Sequence, residues 1–199
     1  AIAAAGGKSI LYVQGHLLYR TTDFYREKGY AMAAKNIWGS PYYEQYNKSN
    51  ESSFLENFSR KLFVPVWPGD PNWIQLMTET GRRVLDLGPT GIIFVQLGGM
   101  ADPCFDNSAG IRPSDAFAAG RKQLLTALRD DLRRVRPDFG MMIEELTDAY
   151  AQYPDIVHAV LGMTVGDANF PQLFRYTFPD VISTTRFTAP RVDPKQVNF

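Results

Sequence analysis

Two adjacent glutamates, Glu144 and Glu145, close the apolar run Gly140–Ile143 (GMMI). Burying a carboxylate is expensive, so two of them ending an apolar stretch mark a place where water or a ligand is near. Carboxyl groups placed in this way are suited to general acid and base work. On a strand the two side chains must point to opposite faces, so one enters a cleft while the other packs behind it. The bland alternative is a strand end emerging into solvent, or a contribution to the start of a helix around Thr147–Tyr153.

Other candidates carry a weaker signal. The loop from Met100 to Asn107 (MADPCFDN) is rich in acceptors, and Asp102, Asp106 and Asn107 suit a hydroxylated ligand or Ca²⁺. An Asx-turn loop explains the same residues. Cys104 has no histidine near it in sequence and reads as a buried structural thiol. His16 follows a strand-like run and is either a ligand contact or a structural histidine. Tyr42, Tyr43 and Tyr46, with Trp38 and Trp67, offer amphipathic rings for stacking on sugars, or packing of an ordinary kind. Asn47-Lys48-Ser49, Asn50-Glu51-Ser52 and Asn57-Phe58-Ser59 are glycosylation-type triplets that indicate an exposed polar loop. No phosphate-binding glycine loop and no GxSxG elbow occur.

Strand-length apolar runs must position these residues. They are Ser9–Val13, Leu62–Trp67, Gly91–Leu97, Gly140–Glu145 and Ala159–Val165. Such runs suit strands buried on both faces, as in parallel sheets. Helical periods separate them. Asp70 and Pro71 form a start signal, followed by a stripe of Trp73, Ile74, Met77, Val84 and Leu85 that stops at Gly88. Ser114 is the expected cap of a second helix whose stripe is Phe117, Leu124, Leu125, Leu128, Leu132 and Val135. Its other face carries Arg121, Lys122, Arg129, Asp130, Asp131, Arg133 and Arg134, which reads as a solvated outer side.

Alternating strands and helices predict an α/β fold with a parallel sheet. A full (β/α)8 barrel needs about 250 residues; this chain has 199 and supplies about five strands with flanking helices. The expected fold is therefore either a small open sheet or roughly half of a barrel, read as a single unit over 1–199. Its sheet should stay open, with the third and fourth strands as neighbours. In such barrels functional side chains lie where strands end. That rule selects Gln14, His16, Trp67, Asp70, Gln96, Glu144, Glu145, Asp167 and Asn169.

Composition excludes several classes. With 21 basic and 21 acidic residues the net charge is zero, which gives no field for nucleic acid. At 45% hydrophobic and 13% aromatic the chain is too apolar for disorder. No apolar run reaches the ~18 residues of a membrane span. One cysteine and two histidines exclude an internal disulfide and a thiolate-rich zinc site. Neither a metal nor a cofactor is called for.

The order of motifs resembles one family. Leu11–Val13 (LYV), Asp23–Lys35 (DFYREKGYAMAAK), Pro41–Tyr46 (PYYEQY) and Pro68–Leu87 come first. Thr90–Gly98 (TGIIFVQLG) is similar to a DGIYLDQLG strand. Pro103–Asp106 (PCFD), Arg121–Pro137, Met141–Tyr150 (MMIEELTDAY) and Pro171–Pro179 complete the series. It resembles bacterial glycoside hydrolases with a TIM-barrel catalytic domain of uncharacterised specificity, and covers most of residues 8–187.

The resemblance implies a partial (β/α)8 TIM-type barrel, about five later strands of a catalytic barrel in a fragment of a longer chain, acting on poly- or oligosaccharide by carboxylate acid/base chemistry. Glu144 matches the strand-end glutamate and takes the role of acid. Glu145, Asp106 and Asp148, or a residue outside this chain, are candidates for its partner. Gln14, His16, Trp67, Gln96, Asp106, Asp148 and Tyr150 are the implied substrate contacts. One departure stands out: the family's Asp just before its Gln is Val95 here. The alternative is thus a catalytically degenerate barrel that binds carbohydrate or is structural. The implied partners are a carbohydrate and whatever covers the open sheet edge, either more of the same polypeptide or another chain. An extracellular or cell-surface location follows from the resemblance alone.

Overall fold

The computed structural model describes residues 2–46, 61–99, 101–145, 147–159 and 176–185. Eight strands occur among them: β1 (Ile10–Gln14), β2 (Leu17–Tyr19), β3 (Glu44–Tyr46), β4 (Lys61–Pro65), β5 (Gly91–Val95), β6 (Gly140–Glu144), β7 (Ile156–Ala159) and β8 (Ile182–Thr185). A π-helical turn, Tyr25–Gly29, runs into the short α1 (Tyr30–Met32). The long helices are α2 (Pro71–Asp86) and α3 (Pro113–Val135).

Five strands form one parallel sheet in the order β1-β5-β6-β7-β8. The fold is α/β, a partial TIM-barrel-like arrangement, with β5 and β6 as neighbours. Among the described residues the sheet is open: β1 and β8 stand at its two ends.

The sheet has two unlike faces. Ile92, Phe94, Met141, Ile143 and Val157 are all but fully buried and join the core built with Trp73, Met77, Leu124, Leu128 and Leu132 of the helices. Period-two alternation sends the intervening residues to the other, inner face. There Tyr12, Ile93, Met142, Ile156 and Ile182 lie in register across all five strands. Tyr12 is 68% exposed and Ile182 59%.

One expected strand belongs elsewhere. The Leu62–Trp67 run forms β4, which pairs antiparallel with β2 and β3 in a separate three-stranded sheet. Pro65, which has no N–H to donate, is the last residue of β4 and is paired there by β2 alone. This small sheet is inserted between β1 and α2, so it elaborates the connection that leaves the C-terminal end of β1. Strand β8 (ISTT) replaces it in the count of five; it has β-branched residues but no apolar run. Strand β7 starts earlier than Ala159, and the rest of that expected run lies outside the described residues.

Helix α2 begins as its sequence predicts. Asp70 caps it, accepting from the N–H groups of Asn72 (2.8 Å) and Trp73 (3.1 Å), with Pro71 at the first position. Helix α3 starts two residues before the expectation. Pro113 occupies its first turn with Arg112 as the flanking residue, so Ser114 lies inside the helix rather than capping it.

Nor is the charged side of α3 wholly solvated. Asp131 is buried, holding Arg82 of α2 through bonds of 2.6 and 2.7 Å. Those bonds from Arg82 keep its carboxyl below the usual range. Arg121 is 2% exposed; it donates to the Gly99 carbonyl and lies over the rings of Phe117 and Tyr150. The inserted segment also meets α3 backbone to backbone. A Cβ on Gly120 would fall 2.4 Å from the Gly69 nitrogen.

Candidate active site

Strands β5 and β6 end in the same unusual way. Gln96 and Glu145, each just past its strand, have left-handed backbones (φ +59° and +76°). Such conformations cost about 1–3 kcal/mol for a non-glycine residue, and they cluster at functional sites. The two strand ends also interlock. Gly98 donates to the Glu144 carbonyl at 3.0 Å, and a Cβ on Gly98 would lie 2.6 Å from the Glu145 carbonyl oxygen.

Glu144 therefore has a defined position. It shares the inner face with Met142, is 9% exposed, and its Oε2 accepts from the Gln96 N–H at 3.0 Å. Its neighbour in register on β7 is His158, whose Nδ1 lies 3.1 Å from Thr184 Oγ1 on β8. Gln14 and Val95 are partners across β1 and β5 at the same end of the sheet. The position where the resembled family carries Asp is thus an inward-facing, buried valine.

A chain of polar contacts crosses this end of the sheet. Gln14 Nε2 donates to Gln96 Oε1 at 3.0 Å, and Gln14 Oε1 accepts from the His16 N–H at 3.0 Å. His16 is buried, with its ring edge-on to Phe117. Its Nε2 lies 3.6 Å from Oε1 of Glu44, at the start of β3. Glu44 Oε2 in turn accepts from Gln96 Nε2 at 3.4 Å. Gln14, His16, Gln96, Glu144 and Glu44 form one cluster supplied by three strand ends and the inserted sheet. Glu44 was missed by the sequence reading, since it lies in no apolar run.

Glu145 stands behind its neighbour. Its N–H donates to the His158 carbonyl at 2.9 Å, and its side-chain stem runs over Gly99. Burial, then the adjacent Glu144 carboxylate, push its carboxyl above the ordinary value, against a smaller opposing effect of His158.

Four expected contacts are placed differently. Trp67 is 3% exposed, its indole N–H bonded to the Ala116 carbonyl at 3.1 Å, so its ring packs against Phe117 and Cys104 instead of facing a ligand. Tyr150 is buried beneath Arg121. Asp106 pairs with Lys35, and Asp148 stands exposed on a 3-10 turn. Among the described residues neither of these aspartates is brought to hydrogen-bond distance of Glu144.

The acidic loop resolves as a turn. Asn107 closes it by bonding the Cys104 and Ile111 carbonyls and the Ile111 N–H at 2.8–2.9 Å. Cys104 is buried, which pushes its thiol up and keeps it protonated at neutral pH. The three asparagine triplets, Asp167 and Asn169 lie outside the described residues. No helix among those described is long and apolar enough to cross a membrane.

No protein-family model matches the chain, and no curated protein sequence does. Solved structures do. The chain is similar to TtGalA, an α-galactosidase from Thermus thermophilus solved with stachyose, at 12% identity and a TM-score of 0.57. That likeness covers 92% of this chain and 34% of the other, so this chain spans about a third of that enzyme's length. It is similar to the α-N-acetylgalactosaminidase NagBb from Bifidobacterium bifidum at 11% and 0.58, over 91% and 28% of the two chains. Aspergillus fumigatus Ega3, solved with galactosamine, matches at 11% and 0.58, over 98% and 69%. The fold that this chain shares with them in part is a TIM barrel.

Proposed function

We propose that this chain is part of a glycoside hydrolase-type barrel that binds a poly- or oligosaccharide over the inner strand ends, with Glu144 as general acid. One observation carries the reading: a nearly buried carboxyl group faces inward at a barrel strand end, fixed by the N–H of a strained neighbour. In this role Glu144 protonates the leaving glycosidic oxygen. Gln14, His16 and Gln96 offer the amide and imidazole groups that bind sugar hydroxyls. More of the same polypeptide, or another chain, covers the inner face where Tyr12 and Ile182 are exposed. The resemblance supports an extracellular or cell-surface setting.

Val95 favours a second reading, a barrel that binds carbohydrate without cleaving it. Both are tested by assaying aryl glycosides and oligosaccharides of galactose, glucose and the galactosamines, with calorimetric binding alongside. Turnover that Glu144→Gln removes while binding persists supports the enzyme. Binding without turnover in the unaltered protein supports the second reading. Neither binding nor turnover across the panel overturns both.

A further inference from the structure

The acid assigned to Glu144 needs a second carboxylate, and Val95 does not supply it. We infer that Glu44, brought in by the inserted antiparallel sheet, is the general base of this site. The inference rests on the enzyme reading above.

Three observations carry it. Glu44 is at the first position of β3, and that sheet hangs on the connection leaving the end of β1, so its side chain reaches the strand ends from above. Gln96 Nε2 donates to Glu44 Oε2 at 3.4 Å, and His16 Nε2 approaches Glu44 Oε1 to 3.6 Å. Its side chain is 35% exposed, so water reaches it, whereas Glu144 is nearly enclosed. The carboxylate that water reaches is placed to activate it, while the enclosed one is placed to meet the leaving oxygen.

Gln96 stands between the two groups. Its backbone N–H binds Glu144 and the far end of its side chain binds Glu44. A base that acts through a water makes this an inverting pair, for which the expected separation is ~6.5–9.5 Å and not the ~5–5.5 Å of a retaining one. In the resulting step, a water held by Glu44 attacks the anomeric carbon and gives its proton to that carboxylate. The bond from the anomeric carbon to the glycosidic oxygen breaks, its electron pair leaving with the oxygen, which takes the proton of Glu144. The products are a hemiacetal of inverted configuration and a free alcohol, and proton exchange with solvent resets both groups.

The experiment uses the full chain and the aryl glycoside that the unaltered protein cleaves best. Glu44→Gln and Glu44→Ala should lower turnover by about 10²–10⁴-fold, the range of a lost general base. Circular dichroism and the melting temperature should stay at the unaltered values. Added azide should restore Glu44→Ala by forming a glycosyl azide of inverted configuration, read by NMR, which a merely structural role would not produce. Full activity in Glu44→Gln, a retained configuration in the product of the unaltered protein, or no azide adduct would overturn the proposal while leaving the enzyme reading intact. Absence of turnover in the unaltered protein overturns both.

Discussion

The backbone N–H of Gln96 donates to Glu144 Oε2 at 3.0 Å, joining the residue after β5 to the last residue of β6. The bond exists because Gln96 turns into the left-handed region at φ +59°. The backbone at that point therefore aims an amide at a side chain of the neighbouring strand instead of extending its own. The strain is stored where the proposed acid must be held.

Replacing Gln96 by glycine separates these two effects. Glycine accepts the positive φ without a Cβ penalty, so relief of about 1 kcal/mol should roughly offset the added chain entropy. The bridge from Gln14 to Glu44 is lost with the side chain. The expected outcome is a melting temperature within about 3 °C of the unaltered protein, with glycan affinity or turnover reduced at least tenfold; unchanged glycan handling would refute the bridging role.

Glu145 makes stability depend on pH. Its carboxyl is raised above the ordinary 4.5 by burial and by Glu144. The folded state therefore binds more protons than the unfolded state just above pH 4.5, and stability falls as pH rises through the raised value. Glu145→Gln should flatten that part of the melting-temperature profile and be neutral or stabilising at pH 7. An unaltered slope in the variant would place the titration elsewhere.

Gly120 is where helix α3 touches the inserted segment. A Cβ there would stand 2.4 Å from the Gly69 nitrogen and 2.9 Å from its Cα, both backbone atoms that cannot rotate away. Gly120→Ala should cost about 1–3 kcal/mol despite the better helix propensity of alanine. Denaturant unfolding measures it, and a stabilised variant would contradict the contact.

Cys104 should be inert in the folded protein. It is fully buried, and burial raises its thiol. Alkylation with iodoacetamide at pH 8 should proceed only after denaturation. Native labelling as fast as that of free cysteine would show that the site opens.

Much of the helical layer was legible in the sequence because its signals are local. Asp70 followed by Pro71, and the apolar stripes through Trp73–Leu85 and Phe117–Leu132, depend on residues three and four apart. Paired carboxylates after GMMI likewise announced a strand end, and alternation alone put Glu144 with Met142. By contrast, β4 looked like a barrel strand because an apolar run carries no record of its partner, and only Pro65 argued against it. Strand β8 had no apolar signature because ISTT stands at one end of the sheet.

The charged face of α3 shows the same limit. Arg121 and Asp131 have the spacing of a solvated stripe, yet Gly99 and Arg82 draw them inward from distant parts of the chain. Trp67 looked like a sugar platform until Ala116 and Phe117 closed over it. By itself the sequence determined the α/β alternation, the start of α2 and the carboxylate at the end of β6, all set by contacts between near neighbours. The tertiary structure alone decided that Glu44 joins His16 and Gln96 opposite Glu144. Those residues lie 28 to 128 positions apart along the chain, and hydrogen bonds over such separations exist only after the sheets have packed.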